Sequence, residues 1–494
     1  MSEPDPAHRI QEFARQYDIA ARSNLAEVEA ELARLPAQLR LRSPGALALR
    51  SVRAVLRGDP LGGIALLQRS IENETGEARP YLVELLVPML VSRGQWEQAE
   101  LALETVVDPP DDIAPALLAA RALFAARAGR DVESRALATT ALADARRIES
   151  PLLLARVVQR MSFAAFYRQE FGESQNRGLE AARLFEELQS FRSAAAAYSV
   201  LYNIAFNYNG DVNMARFYAE RVSVNGKLGG DDSAHTYGLV SQLHIAAESG
   251  ERRRLGSIRA RLLATQRHEQ FRERFVFVLS EVLMAGWAGR FDSAAAAVRV
   301  LREEESRFRG DRALCDGLLA VAAAADWQLD EARTLLRRAI SGSTQQVGHE
   351  AQYEARARMI ARYLASAACY IIGDASRGVR ALSRTFDPNG RFGASLSLEG
   401  VNVDLLPTAM RGYGLFIAAA FESARRLRPT HRLTQTELDI LRVLPVGDTV
   451  ARIALDRGTS KRTVERQVDN IYEKLGARNR TDAIRRARDL GILR

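Results

Sequence analysis

Apolar residues recur along most of this chain at helical spacing, in runs that stop at a small or polar residue and then restart. The stops fall at Gly58, Gly94, Gly129, Gly172, Gly210, Gly250, Gly289, Asp326 and Gly373, separated by 36, 35, 43, 38, 40, 39, 37 and 47 residues. After Gly289, for example, Phe291, Ala294, Ala295, Val298 and Leu301 share one helical face. Each unit therefore reads as a helix, a tight turn and a second helix, with glycine supplying the positive φ that ends the first. A single hairpin of this kind leaves its apolar face open to water. Stacked copies cover one another, so the pattern predicts a helical-repeat solenoid over roughly residues 26–428. Runs that alternate with period two are absent from the sequence, and the expected fold class is all-α.

Near residue 433 the pattern shortens to four small helices. Leu438, Leu441 and Leu444 stripe the first, which Pro445 should end early. Val450, Ile453 and Ala454 mark a second, closed by a left-handed Gly458. Thr459 or Ser460 then caps a third helix, with Val464, Val468, Ile471 and Leu475 inward and Arg462, Glu465, Arg466 and Asp469 outward. A fourth, at about 479–490, gathers Ala483, Ile484, Ala487 and Leu490 on one side.

Composition sharpens this division. The chain has 494 residues, 47% of them hydrophobic, enough for a substantial core in several domains or one long array. Its net charge is +8, and +5 of that lies from His431 onward, where 14 Lys+Arg face 9 Asp+Glu. A basic tail on a nearly neutral body is an electrostatic footprint of nucleic-acid binding. The only thiols, Cys315 and Cys369, build neither a disulfide framework nor a metal-ligand spacing. No apolar run reaches the roughly 20 residues of a membrane span, and the first ten residues carry no leader pattern. A cytoplasmic protein without a membrane partner is expected.

Two resemblances follow. Gly94-Gln95-Trp96-Glu97-Gln98-Ala99 and Gly289-Arg290-Phe291-Asp292-Ser293-Ala294 resemble the start of the second helix in tetratricopeptide repeats. In the tail, Leu433, Thr434, Glu437, Ile440, Leu441, Gly447, Ile453, Ala454, Ser460, Thr463, Val464, Asn470, Ile471, Lys474, Leu475, Gly476, Arg480, Thr481 and Ala483 stand in the register of the LuxR-type (GerE-like) helix-turn-helix domain. The chain thus resembles large bacterial regulators of that type. The implied organisation is a helical extension at 1–25, a tetratricopeptide-like sensor or interaction array at 26–428 and a four-helix DNA-binding domain at 429–494. Ser423–Arg432 reads as a basic tether before that domain.

The second resemblance also implies roles. Ser460, Lys461, Arg462 and Thr463 would meet phosphate at a helix N-terminus, and Glu465, Arg466 and Asp469 would face base edges in the major groove. Lys474 and Arg480 would touch the DNA backbone. Ala483, Ile484, Ala487 and Leu490 would pair two copies on an inverted-repeat operator. The sequence departs from the family at Glu465, where lysine is common, at Gln467, where histidine is, and at Thr436, where arginine is.

Other chemistry finds little support. There is no G-x-x-x-x-G-K-[ST] phosphate loop, no receiver-like segment and no nucleophile with a base, so neither ATP-driven activation, a cofactor nor an enzyme is expected. Asp231, Asp232 and His235 read better as a polar loop opening a helix than as a metal cluster. Trp96, Trp287 and Trp327 read better as packing at repeat turns than as a ligand cage. The sequence predicts a DNA-binding transcription regulator whose array senses a peptide, small molecule or protein partner. The alternative is an interaction scaffold tethered to DNA by its tail.

Overall fold

The computed structural model of the chain describes residues 6–494 apart from 42, 75, 265–270, 304–308, 343–350, 383–386, 388–389, 428–432, 491 and 494. The end of the expected tether thus lies outside the described residues. Two helices open the chain, α1 (Pro6–Arg22) and α2 (Leu25–Arg34). Pairs follow: α3 (Pro44–Leu56) with α4 (Pro60–Asn73), α5 (Arg79–Ser92) with α6 (Trp96–Glu104), and α7 (Ala114–Arg127) with α8 (Asp131–Ile148). Next come α9 (Pro151–Tyr167) with α10 (Phe171–Glu187), α11 (Phe191–Asn203) with α12 (Val212–Leu228), and α13 (Asp232–Glu248) with α14 (Arg252–Ala264). The last pairs are α15 (Phe271–Trp287) with α16 (Phe291–Glu303), α17 (Arg309–Ala325) with α18 (Leu329–Gly342), and α19 (Ala351–Ile371) with α20 (Ala375–Ala381). The short α21 (Arg391–Ser395) and the long α22 (Arg411–Leu427) complete this region. A hairpin of Leu396–Ser397 with Gly400–Val401 departs from the all-helical expectation; two residues per strand are too few for alternation to show.

The chain divides into two compact units, Met1–Ile245 with Gly256–Glu273, and Ala246–Leu255 with Arg274–Arg494. In the first, helices pack against their own partner and against the first helix of the next pair, as α7 does against both α8 and α9. Alanine makes this possible: Ala116, Ala119, Ala122, Ala125 and Ala126 of α7 are fully buried, and so small a side chain brings backbones together. In the second unit α17 packs in the same way against α16, α18 and α19, and α22 covers α17 and α19. The indole N–H of Trp287 donates to the carbonyl of Gly412 at 2.8 Å, so this tryptophan is a packing residue. Trp96 likewise stacks edge-on against Phe124 and Tyr167.

Seven of the nine expected hinges hold a left-handed glycine, Gly58, Gly94, Gly129, Gly210, Gly250, Gly289 and Gly373, with φ between 64° and 90°. The other two need correction. Gly172 lies inside the first turn of α10, and Gln169 turns the chain at φ 65°; at the eighth hinge Trp327 rather than Asp326 does so, at φ 59°. A residue with a Cβ adopts this conformation at a cost, and the glycine pattern alone does not mark it.

A second repeat signature joins the two helices of a pair. The buried hydroxyl of Ser51 donates to the carbonyl of Gly63 (2.7 Å), Ser134 to Ala122 (2.8 Å), Ser162 to Ser174 (2.7 Å) and Ser366 to Gly378 (2.8 Å). Each pair is 12 residues apart across its hinge, where a small side chain lets one backbone reach the other. Between α12 and α13 the same spacing joins Ser223 to His235, whose Nδ1 lies 2.9 Å from the Ser223 hydroxyl. Asp231 accepts from the Ala234 N–H at 2.9 Å, so this acidic loop opens a helix, as expected. The crossing is close enough that a Cβ on Gly238 would lie 2.4 Å from the Ser223 backbone nitrogen. Gly238→Ala is therefore expected to lower stability by roughly 1–3 kcal/mol through overpacking. A denaturation midpoint equal to wild type would contradict that close approach.

Among the described residues no helix is long and apolar enough to cross a membrane.

Candidate nucleic-acid interface

The last four helices are α23 (Gln435–Val443), α24 (Val450–Asp456), α25 (Lys461–Leu475) and α26 (Arg480–Asp489). Their starts and stops are written in side-chain chemistry. Thr434 caps α23 in a reciprocal box: its hydroxyl accepts from the Glu437 N–H at 3.3 Å, and the Glu437 carboxylate accepts from the Thr434 N–H at 2.6 Å. Pro445 ends α23 at Val443 and leaves a single 3₁₀ turn, Leu444–Val446, as the sequence predicted. Thr449 caps α24, and left-handed Gly458 closes it. Ser460 caps α25 by accepting from the Thr463 N–H at 3.1 Å, Gly476 ends it at φ 64°, and Asn479 caps α26.

These elements enclose one core: Leu433, Ile440, Leu441, Leu444, Ile453, Ala454, Val464, Val468, Ile471 and Leu475, together with Ala483, Ala487 and Leu493. The inward stripe of α25 is the one read from the sequence. Its opposite face is open to solvent, with Ser460, Lys461, Arg462, Thr463, Glu465, Arg466 and Asp469 all exposed. Lys461 lies 3.6 Å from Glu465, four residues on, which partly balances the acid at that position. Neither Arg462 nor Arg466 has a hydrogen bond or ion pair with any described residue. A short helix and a longer one joined by a tight turn, the second capped and cationic at its outer N-terminal end, form a shape that fits a major groove.

Residues 431–487 match the family model for bacterial regulatory proteins of the luxR family (GerE). They form a LuxR-type helix-turn-helix domain. Over 73 residues the chain is 40% identical to the transcriptional regulatory protein YdfI of Bacillus subtilis (strain 168). The aligned stretch is 15% of this chain and 34% of that protein, so the chain spans about a third of the relative's length.

Within the LuxR-type domain two expected backbone contacts are otherwise engaged. The Lys474 ammonium donates to both oxygens of Glu437, at 2.7 and 2.6 Å, and Glu437 is 4% exposed. Burial alone would raise the Glu437 carboxyl, but hydrogen bonds from Lys474 and Thr434 outweigh it and hold it below the usual carboxylate range. Arg480 donates from Nη1 to the Asp448 carbonyl at 2.7 Å and from Nε to the Leu444 carbonyl at 3.2 Å, satisfying carbonyls where α23 gives way to its 3₁₀ turn. Both cations thus hold the domain together in this structure, a role their expected reading as DNA-backbone contacts did not include. A cation at the end of a recognition helix looks free in sequence, because nothing there shows which carboxylate or carbonyl folds back onto it.

On α26 the expected pairing face is divided. Ala483 and Ala487 are fully buried in the domain's own core, so they are unavailable to a second copy in this conformation. Ile484 and Leu490 are only partly covered. Asp482 accepts from the Arg478 N–H at 3.1 Å and pairs with Arg485 and Arg486; that backbone hydrogen bond first, and the two guanidinium groups after it, hold its carboxyl down to about 2.

Proposed function

We propose that the protein is a sequence-specific DNA-binding transcription regulator whose helical-repeat region senses a peptide, small molecule or protein partner and controls the LuxR-type domain. The observation that carries the DNA reading is the open face of α25, where Arg462 and Arg466 project from a helix fixed at both ends. Ser460, Lys461, Arg462 and Thr463 cluster where backbone N–H groups and the helix dipole favour phosphate. One turn further, Glu465, Arg466 and Asp469 reach base edges. A guanidinium there pairs with guanine through two hydrogen bonds, and a carboxylate accepts from a cytosine amino group. Two copies would meet through Ile484 and Leu490 on an inverted repeat whose half-sites lie about one helical turn apart. Within each unit the repeats supply what a sensor needs, similar helices stacked side by side. They carry no visible cofactor site in the sequence, and the reading needs none.

Selection of genomic fragments by the full-length protein tests this at two salt concentrations. One recurring inverted repeat is the expected result. Arg466→Ala is expected to weaken that site by about 1–3 kcal/mol, roughly 5- to 150-fold, and to relax one base position. Arg462→Ala should instead weaken all sequences alike and reduce the salt slope by about one. Binding that selects no sequence and vanishes with salt would overturn the reading and leave the tethered scaffold.

A further inference from the structure

The first helix does not behave as one more member of the array. It packs most closely along α3 and also reaches α5, α9 and α11, so it touches the first helices of four different pairs. Gln16 lies over Gly45 at the start of α3. Phe13 and Tyr17 meet Tyr81 of α5 edge-on, with ring centroids 5.6 and 4.9 Å apart. At its far end the Arg22 carbonyl accepts from the Ser190 hydroxyl, which precedes α11, at 2.7 Å. One helix of 17 residues, about 25 Å long, thus lies along the surface that successive first helices present.

At the centre of this crossing is a buried polar cradle. Glu84 of α5 is fully buried between the guanidinium groups of Arg156 and Arg160, both on α9. Tyr17 is inserted into it. Its hydroxyl donates to the Glu84 carboxylate at 3.0 Å and accepts from Arg156 at 2.7 Å. Without Tyr17 the cradle holds two cations and one anion, so it presents a net positive charge and an empty acceptor position.

Elsewhere α1 is held along α3 and through Arg15, yet few of its described side chains are fully buried. From Glu12 to Arg22 only Gln16, Ala20 and Ala21 are buried, whereas α7 buries ten of its residues. Ala14 faces solvent, and Arg15, itself half exposed, donates at 2.5 Å to the buried Glu31 of α2. With so few fully buried side chains among residues 12–22, this part of α1 opens at a smaller cost than the helices beneath it. It also joins α2 through a single turn at Ser23, held at φ 54°.

We propose that α1 is a removable occupant of a helix-binding groove. Residues 6–22 sit in cis where an amphipathic helix from a partner protein sits in trans, one that places a phenol or carboxylate on its buried face opposite Arg156. This rests on and deepens the sensing part of the proposed function, and it is tested without DNA, so the two can fail separately.

A fluorescent synthetic peptide of residues 6–24 serves as the probe, with the full-length chain as receptor. The wild-type protein should take it up weakly, since its groove is open only in the fraction of molecules that have released α1. Full-length Tyr17→Ala, which leaves every groove residue in place, should bind it at least about tenfold more tightly, and adding Arg156→Ala should remove the gain. A probe carrying Tyr17→Phe should bind more weakly than the wild-type probe. Hydrogen exchange on the unmodified protein gives an independent reading, in which amides of α1 exchange about tenfold or more faster than those of α5 and α9. A folded Tyr17→Ala protein that takes up no peptide would overturn the proposal. So would exchange of α1 in step with α5 and α9, which would make it a permanent part of the array and would decide the matter even if Tyr17→Ala fails to fold.

Discussion

Replacing Glu84 with alanine is expected to destabilise the N-terminal unit by about 3–5 kcal/mol, because it leaves two buried guanidinium groups without their anion. For a unit of this size that corresponds to a fall of about 10 °C in Tm. The carboxylate is fully buried, and Arg156 and Arg160 are close to fully buried themselves. Glu84→Gln keeps the shape and one acceptor oxygen but not the charge, so most of the loss should persist. That result separates an unpaired charge from a cavity. Glu29, paired with Arg57 on the surface, provides the contrast, and its alanine variant should change stability by less than about 1 kcal/mol. Acid titration checks the same point. Burial alone would raise the Glu84 carboxyl, yet the two arginines outweigh it and hold it below its ordinary value of 4.5. Its contribution is then fully present above that value and fades as pH falls through the depressed one. Wild type should lose stability across that acid window, and Glu84→Gln should lose less there. Equal acid slopes in the two proteins would show that the pair is not what holds this region together.

The repeats and the helix-turn-helix were legible for different reasons. Hinges could be read where glycine adopts positive φ, as at Gly94 and Gly289, because that conformation nearly dictates the residue. They were not legible at Gln169 or Trp327, where a residue with a Cβ takes the left-handed conformation that ends the helix. The 12-residue link of serine to carbonyl escaped notice because serine is common and only its burial gives it meaning. On α25 the periodicity of Val464, Val468, Ile471 and Leu475 separated the inward face from the outward one without ambiguity. Periodicity says which way a side chain points but not what meets it there. The fate of Lys474 and Arg480, and the burial of Ala483 and Ala487, depend on neighbours 30 or more residues away in α23 and its 3₁₀ turn or on the domain core. The cradle around Tyr17 lies further still from local pattern, since Tyr17 and Arg156 are 139 residues apart.

The second large effect is expected at Glu437, and it also decides what Lys474 is for. Glu437→Ala removes the acceptor that closes the Thr434 capping box and leaves the Lys474 ammonium, 29% exposed, without its anion. Loss of a cap costs about 1 kcal/mol, and loss of one partner of a largely buried pair costs up to 3–5, reduced here by the partial exposure of the lysine. A total of about 3 kcal/mol is a large part of the roughly 3–10 kcal/mol that a domain of this length has available. Protection of α23 and α25 amides against hydrogen exchange should fall accordingly in the full-length protein, and DNA binding should fall with it. Lys474→Met is the discriminating companion. If the lysine is a clasp, this variant destabilises the domain, the double variant Glu437→Leu/Lys474→Met recovers most of what either single change loses, and the folded domain binds DNA with an unchanged salt slope. If the lysine reaches phosphate, Lys474→Met reduces the salt slope by about one and adding Glu437→Leu does not restore binding. Recovery in the double variant follows from the geometry, because two charges removed together leave neither one buried alone.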